Sequence, residues 1–280
     1  METRTADIVL DGRTVVSARP DASGPWPGVL MLHEGWGIDD VLRRHAVRLA
    51  AAGYLVYAPD LLGEGPWLRC VVSTFRAFQA RAGKPFQLIE SCRQELQADP
   101  DCTGKVGVIG FCMGGGFALL LSAEGYDAAS VNYGMVPSDI DELAARAGPI
   151  VASYGGRDWT AKSVHALREA LRTHDVPHDV EVYPAAGHCF LNDKPNGPLL
   201  FRPVAKLAHA GPEPVSAADA WRRIEAFFAE HLGAGPLSSG QGDPKAGRSA
   251  GDVLAQEVPE GKPDRDDGVP DRPQCAGDHL

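Results

Sequence analysis

The chain has 280 residues and a formal net charge of −10, with 44% hydrophobic and 23% charged residues, the balance of a soluble globular protein. Its acidic balance argues against nucleic acid as a partner, and no apolar run reaches the roughly 18 residues of a membrane span. The first twenty residues lack a signal peptide's apolar segment, and the six cysteines form no CxxC pair. We therefore expect a cytoplasmic protein without a zinc site or a disulfide scaffold.

A change in composition after Gly233 predicts where the folded domain ends. Residues 234–280 contain no aromatic residue and are rich in Gly, Pro and acidic residues. Such a segment buries too little apolar surface to offset an ordering entropy of about 1–2 kcal/mol per residue. We expect one α/β domain over residues 1–233 and a disordered acidic tail over residues 234–280.

Short apolar runs alternate along the chain with segments whose apolar residues repeat every three or four positions. The apolar runs predict strands at 29–32, 54–58, 106–109, 128–132, 150–154 and 178–183. The periodic segments predict helices after Asp39–Asp40 and after Pro85, and at 117–121, 161–171 and 216–231. This alternation indicates an α/β fold with a mainly parallel sheet and helices on both faces. Ligands of such sheets bind beyond the carboxyl ends of the strands.

The sequence Gly110-Phe-Cys-Met-Gly114 lies between a predicted strand and a predicted helix. It has the form G-x-C-x-G, the cysteine version of a nucleophile elbow, in which a tight turn pushes the nucleophile out above the sheet. The amino end of the following helix favours the thiolate of Cys112. The alternative is a buried cysteine in a glycine-rich turn. A phosphate-binding loop is disfavoured because no GK[ST] sequence follows.

A thiol nucleophile needs a base and a group that orients the base. Asp158 follows the predicted strand 150–154, and His188 follows the predicted strand 178–183. Both therefore lie at the same sheet edge as Cys112, in the order nucleophile, acid, histidine. The alternatives are an Asp158 that only caps the segment from Thr160 and a His188 that is an ordinary loop residue.

The first strand–helix turn, His33-Glu-Gly-Trp-Gly37, is the expected position of an oxyanion hole. The backbone N–H groups of Gly35 and Met113 would bind the oxyanion. Glu34 is a carboxylate at the crevice, where it would oppose formation of a thiolate or accept the thiol proton. Its alternative role is a solvated turn residue.

Four motifs resemble those of the dienelactone hydrolase family of α/β-hydrolases. They are His33-Glu-Gly-Trp-Gly37, the segment 104–115 around the elbow, Tyr154-Gly-Gly-Arg-Asp158 and Ala186-Gly-His-Cys-Phe190. The resemblance implies an α/β-hydrolase fold and a triad of Cys112, Asp158 and His188. It also implies a Glu34 that contacts the resting thiol until substrate displaces it. The implied reaction converts a dienelactone (a carboxymethylenebutenolide) to maleylacetate through an acyl-enzyme, with no metal or organic cofactor.

Two features depart from the family pattern. Members of the family bind the substrate carboxylate with two arginines, one shortly after the catalytic histidine, and the stretch 190–194 contains no arginine. Arg69, or less favourably Arg76, is the candidate for the other arginine, the alternative being a solvated charge. Cys189 follows the proposed base, and we hypothesise that it pairs with Cys112 under oxidation.

The sequence therefore predicts an α/β-hydrolase, monomeric or homodimeric, that cleaves a small ester or lactone. A broad carboxylesterase or thioesterase on the same triad is the alternative within this class. A redox-sensing or ligand-binding relic of the fold is the alternative without catalysis.

Overall fold

The computed structural model describes residues 1–197 and 209–233. The predicted tail, residues 234–280, lies outside the described residues, so the division of the chain at residue 233 stays a prediction. The strands are β1 Thr3–Leu10, β2 Arg13–Pro20, β3 Trp26–Leu32, β4 Leu55–Pro59, β5 Cys102–Phe111, β6 Ala128–Asn132, β7 Ile150–Gly155 and β8 His178–Tyr183. The α-helices are α1 Asp40–Ala51, α2 Trp67–Ala80, α3 Lys84–Ala98, α4 Met113–Leu121, α5 Ile140–Ala144, α6 Val164–Thr173 and α7 Pro214–Leu232.

Within the described residues the strands form one eight-stranded sheet in the order β1-β2-β4-β3-β5-β6-β7-β8. The pairs β1–β2 and β2–β4 are antiparallel, and the six strands from β4 to β8 in this order are parallel to one another. Strands β3 and β5 are neighbours near the middle of the sheet. This arrangement confirms the predicted α/β-hydrolase fold, and it brings the carboxyl ends of β3, β5, β7 and β8 to one edge.

Helices cover both faces of the sheet, as the continuous apolar strands predict. Helices α3, α4, α5 and α6 pack in one apolar core, and α1 and α7 pack in the other. The predicted start of α1 is confirmed, because the Asp39 carboxylate accepts a hydrogen bond from the Leu42 N–H at 2.8 Å. In the part of the chain that the structure describes, no helix is long and apolar enough to cross a bilayer.

The amino-terminal hairpin of β1 and β2 is a feature that the sequence analysis did not predict. Asp11 and Gly12 connect the two strands with φ angles of +50° and +71°. Two consecutive positive φ angles are typical of a type I′ turn, for which Asp-Gly is a favoured sequence. Most of β1 is exposed on both faces, so its sequence lacks the strict alternation that marks a half-buried strand.

Candidate active site

Cys112 lies at the turn between β5 and α4, the strand–turn–helix position that its motif predicts. Its backbone has φ +53° and ψ −111°, which is outside the regions that non-glycine residues ordinarily occupy. The thiol is half-buried and lines a surface cleft. The strained turn thus places the thiol at the cleft, while the residue also packs against the apolar core that contains α1 and α7.

Gly110 and Gly114 must be glycine because neighbouring backbone atoms leave no room for a Cβ atom at either position. A Cβ atom on Gly110 would lie 1.9 Å from the carbonyl oxygen of Gly114. One on Gly114 would lie 2.3 Å from the carbonyl oxygen of Leu32, at the end of β3. Both distances are far inside van der Waals contact, so a side chain at either position would displace the backbone.

Asp158 and His188 meet at the carboxyl ends of β7 and β8, as their positions after these strands predict. His188 Nδ1 lies 2.6 Å from Asp158 Oδ2. The same carboxylate accepts from the Thr160 hydroxyl at 2.6 Å and from the Thr160 N–H at 3.2 Å. Asp158 therefore caps the 3₁₀ helix Trp159–Ser163 and also orients His188, so the two roles weighed for it are compatible.

The hydrogen bond to Asp158 occupies Nδ1 of His188 and leaves Nε2 for another partner. Burial lowers the pKa of His188, but hydrogen bonds with Asp158 and with the Cys112 thiol outweigh burial, and the pKa lies well above that of a free histidine. For Asp158, burial raises the pKa, and the hydrogen bond and charge of His188 lower it further than burial raises it. A carboxylate beside an imidazolium is the favoured ionisation of this pair.

The Glu34 carboxylate is buried and accepts four hydrogen bonds. Oε1 accepts from the Tyr133 hydroxyl at 3.1 Å and from the Asn192 amide at 3.2 Å. Oε2 accepts from the Asn196 amide at 2.5 Å and from the Cys189 thiol at 3.4 Å. Among the described residues, these four donors do not include the Cys112 thiol, so the contact with the resting thiol stays a prediction.

Cys189 and Tyr133 hold their protons firmly beside Glu34. Burial and the negative charge of Glu34 raise the pKa of the Cys189 thiol well above that of an ordinary cysteine. The same two causes raise the pKa of Tyr133. Both groups also have positive φ angles, +60° and +41°. Backbone strain at non-glycine residues clusters at functional sites. Three strained residues, Cys112, Cys189 and Tyr133, lie beside His188.

The two backbone N–H groups predicted to bind an oxyanion flank the elbow. Met113 is the first residue of α4, and Gly35 lines the same cleft as Cys112. The Gly114 N–H donates to the His33 carbonyl oxygen at 3.2 Å and thereby joins the elbow to the β3 turn. Outside helices and strands of the described residues, neither the Gly35 nor the Met113 N–H donates to a backbone carbonyl, and their binding of an oxyanion stays a prediction.

The cleft above Cys112 has a volume of about 670 Å³ and a mainly apolar wall. Trp36 and Trp67 stack in this wall, with ring centroids 4.9 Å apart and an angle of 14° between the planes. The indole N–H of Trp67 donates to the Gly35 carbonyl oxygen at 2.9 Å. A cleft of this size admits a small ester or lactone.

Among the described residues, the arginine that lines this cleft is Arg157, and a role for Arg69 in substrate binding stays a prediction. Arg69 is exposed on α2 and Arg76 is exposed two turns further along the same helix; among the described residues, neither contributes to the cleft. Arg157, immediately before Asp158, does line it. The Arg157 N–H donates to the Ala186 carbonyl oxygen at 3.0 Å, so the strand-end loops hold the backbone of this arginine beside the cleft.

No group of three His, Cys, Asp or Glu side chains is placed to hold a metal ion among residues 1–197 and 209–233.

Three residues of the site were not predicted from the sequence: Tyr133, Asn192 and Asn196. They lie about 100 to 160 positions from Glu34 in the chain. No local motif marks such contacts.

The family model described as the dienelactone hydrolase family matches residues 13–232. The chain belongs to this family. As a member of the dienelactone hydrolase family it is a carboxylic ester hydrolase with an α/β-hydrolase fold, as the motifs predicted.

Relatives of this dienelactone hydrolase family member support the same conclusion. The Yersinia pestis protein named “Putative carboxymethylenebutenolidase” is 28% identical over 233 residues, which span 76% of this chain and 82% of that protein. The carboxymethylenebutenolidase of Rhodococcus opacus is 25% identical over 76% of this chain and 84% of its own length. The crystal structure titled “Putative Dienelactone Hydrolase” from Klebsiella pneumoniae has a TM-score of 0.64 and 25% identity over 82% of this chain and 98% of that one.

Proposed function

We propose that the protein hydrolyses a small ester or lactone through a Cys112–His188–Asp158 triad, and that its substrate is an acidic dienelactone, which it opens to maleylacetate. The observation that carries the proposal is the 2.6 Å contact between His188 and Asp158 above a half-buried cysteine in a strained turn. A nucleophile, a base and an orienting carboxylate are the parts that acyl transfer needs.

In the first half-reaction the Cys112 sulfur bonds to the lactone carbonyl carbon, and the N–H groups of Gly35 and Met113 stabilise the oxyanion. The thiol proton passes to His188, whose pKa is raised by Asp158 and Cys112 beyond the opposing effect of burial. The ring C–O bond then breaks, the leaving oxygen takes the proton from His188, and a thioester remains.

In the second half-reaction a water molecule attacks the thioester carbonyl, and His188 accepts a proton from the water. The C–S bond breaks, the acid product leaves, and the proton stays shared between His188 and the Cys112 sulfur. The net change is the addition of one water molecule to the lactone, with no redox step.

Two features of the cleft favour an acidic, unsaturated substrate. The stacked pair Trp36 and Trp67 provides a flat apolar wall, which suits a conjugated ring. Arg157 provides a cation at the cleft, and a guanidinium binds a carboxylate with two parallel hydrogen bonds. The carboxymethylenebutenolidase name of the Rhodococcus opacus relative is consistent with such a substrate.

The test is hydrolysis of a dienelactone and of p-nitrophenyl acetate by the wild type, Cys112→Ala and Cys102→Ala. Cys102 is a matched control because it lies at the opposite end of the same strand. We expect turnover of the lactone by the wild type and by Cys102→Ala, and a loss of at least about 10⁴-fold in Cys112→Ala.

The other results separate the alternatives. Turnover of the simple ester alone would keep the triad and make the protein a broad esterase. Undiminished turnover by Cys112→Ala would refute Cys112 as the nucleophile. An inactive wild type with both substrates would refute the hydrolytic proposal.

A further inference from the structure

His33 is a fully buried histidine at the carboxyl end of β3, and both of its ring nitrogens are hydrogen-bonded. Nδ1 lies 2.5 Å from the Glu34 carbonyl oxygen, and Nε2 lies 2.9 Å from the backbone nitrogen of Leu61. The Leu61 N–H is a donor, so Nε2 must be the acceptor and Nδ1 must carry the proton. Burial also lowers the pKa of His33, which agrees with a neutral ring of this tautomer.

The hydrogen bond from Nδ1 fixes the orientation of the peptide that joins Glu34 to Gly35. In a trans peptide the C=O and the N–H point in opposite directions. The Glu34 carbonyl is held by His33 and, at 3.2 Å, by the Gly37 N–H. The Gly35 N–H therefore points away from His33, and it belongs to a residue that lines the cleft beside Cys112.

Glycine 35 would otherwise allow this peptide to rotate, because glycine readily adopts several backbone conformations. The structure also leaves open space where a Cβ atom on Gly35 would lie. The peptide on its carboxyl side is held by the Trp67 indole, which donates to the Gly35 carbonyl oxygen at 2.9 Å. Both peptides flanking Gly35 are thus held by side chains, one by His33 and the other by Trp67.

We propose that His33 is a positioning residue that holds the Gly35 N–H in the orientation that binds the oxyanion. Its side chain acts on the oxyanion hole through the Glu34–Gly35 peptide. This inference rests on the proposed function, since it needs an oxyanion to bind. It predicts that His33 affects catalysis through its Nδ1 donor and that its Nε2 acceptor matters less.

Two conservative variants separate the two nitrogens. The amide of His33→Asn is attached at Cγ, like Nδ1, and can still donate to the Glu34 carbonyl. The longer amide of His33→Gln reaches the position of Nε2 and can still accept from the Leu61 N–H. His33→Leu removes both hydrogen bonds at similar volume. Each variant is assayed for kcat and KM with p-nitrophenyl acetate and for the rate of alkylation of Cys112 by iodoacetamide, which needs no oxyanion hole.

We expect kcat to fall by about 100-fold in His33→Leu and in His33→Gln, the effect of losing one oxyanion donor. We expect His33→Asn to keep kcat within about tenfold, KM to change little, and the alkylation rate of Cys112 to stay within about threefold of wild type in every variant. Thermal melting shows which variants fold. If His33→Leu does not fold, the comparison of His33→Asn with His33→Gln still shows which ring nitrogen affects kcat.

Three results would overturn the inference. One is a His33→Gln variant as active as His33→Asn, and another is an alkylation rate that falls in step with kcat. The third is a wild type that folds and is alkylated at Cys112 but turns over no ester, which would overturn the proposed function as well. In the first two cases wild-type turnover leaves the proposed function standing.

Discussion

Replacing Asp158 by asparagine tests the triad most specifically, because the change is nearly isosteric at a fully buried side chain. Oδ2 accepts from both His188 and the Thr160 hydroxyl, and Oδ1 accepts from the Thr160 N–H. An asparagine NH₂ group in the place of Oδ2 faces Nδ1 of His188 as a donor. It therefore favours the tautomer whose proton is on Nε2, which cannot accept the thiol proton.

The opposite orientation of the asparagine amide is also unfavourable. It keeps a carbonyl oxygen toward His188 but places the NH₂ group against the Thr160 N–H, so two donors meet in a buried site. Asp158→Asn thus loses either the His188 tautomer that can accept the thiol proton or the hydrogen bond that caps the 3₁₀ helix at Thr160. We expect kcat/KM to fall by about 10³–10⁴-fold, equivalent to roughly 4–5.5 kcal/mol of transition-state stabilisation.

The assay is steady-state hydrolysis of p-nitrophenyl acetate by the wild type, Asp158→Asn and Thr160→Val. Thr160→Val is the matched control, because it removes the 2.6 Å hydroxyl contact but keeps the carboxylate beside His188. We expect the control to lose far less activity than Asp158→Asn, because the carboxylate stays beside His188. A folded Asp158→Asn enzyme that keeps more than a tenth of wild-type activity would refute the role assigned to Asp158.

Three further predictions follow from other parts of the site and core. Arg157→Gln should raise KM for the acidic lactone at least about tenfold, because only the lactone carries a carboxylate, and should change KM for p-nitrophenyl acetate less than about twofold. Equal changes in KM for both substrates would contradict this role of Arg157. Gly114→Ala should lower the melting temperature and abolish activity, because its Cβ would lie 2.3 Å from the Leu32 carbonyl oxygen, and a stable, active variant would contradict the elbow geometry. Burial lowers the pKa of His45 from 6.5 to about 4, so the unfolded chain takes up a proton first as pH falls, and the free energy of unfolding should drop by about 3 kcal/mol between pH 6.5 and pH 4. Urea titrations should show a smaller drop for His45→Gln over the same pH range. An equal dependence of the free energy of unfolding on pH in the two proteins would contradict the role given to His45.

Much of the site was predictable because its residues follow strands. Cys112, Asp158 and His188 each come directly after an apolar run, and parallel strands bring their carboxyl ends to one sheet edge. The elbow glycines were equally predictable, since a motif with G at both positions implies close backbone contacts. The structure brings Asp158 and His188 within 2.6 Å of each other, and the catalytic roles of the three residues stay a prediction.

The contacts of Glu34 could not be predicted in the same way. Asn192 and Asn196 lie on the segment after β8, and that segment returns over the β3 turn. Nothing in the local sequence says which of several polar loop residues will reach a buried carboxylate. The structure shows two asparagines, a tyrosine and the Cys189 thiol as donors to Glu34, and the contact with the Cys112 thiol that the family resemblance implies stays a prediction.

The position of Arg157 at the cleft could not be predicted either, and the role of Arg69 stays a prediction. Helix α2 carries Arg69 and buries only two of its residues, Thr74 and Phe78. The sequence analysis predicted neither this helix nor the side of it that faces the cleft. Arg157 lies within a motif that the sequence analysis used, but the direction of a side chain in a loop depends on the neighbouring loop, here through Ala186.

The measurement that tests the central claim most directly is mass spectrometry of the wild type quenched with acid during turnover of p-nitrophenyl acetate. The account predicts a mass increase of one acetyl group on the peptide that contains Cys112, present during turnover, lost once the substrate is consumed, and absent in Cys112→Ala. An acetyl group on Cys189 instead, or steady turnover by a Cys112→Ala variant, would contradict it.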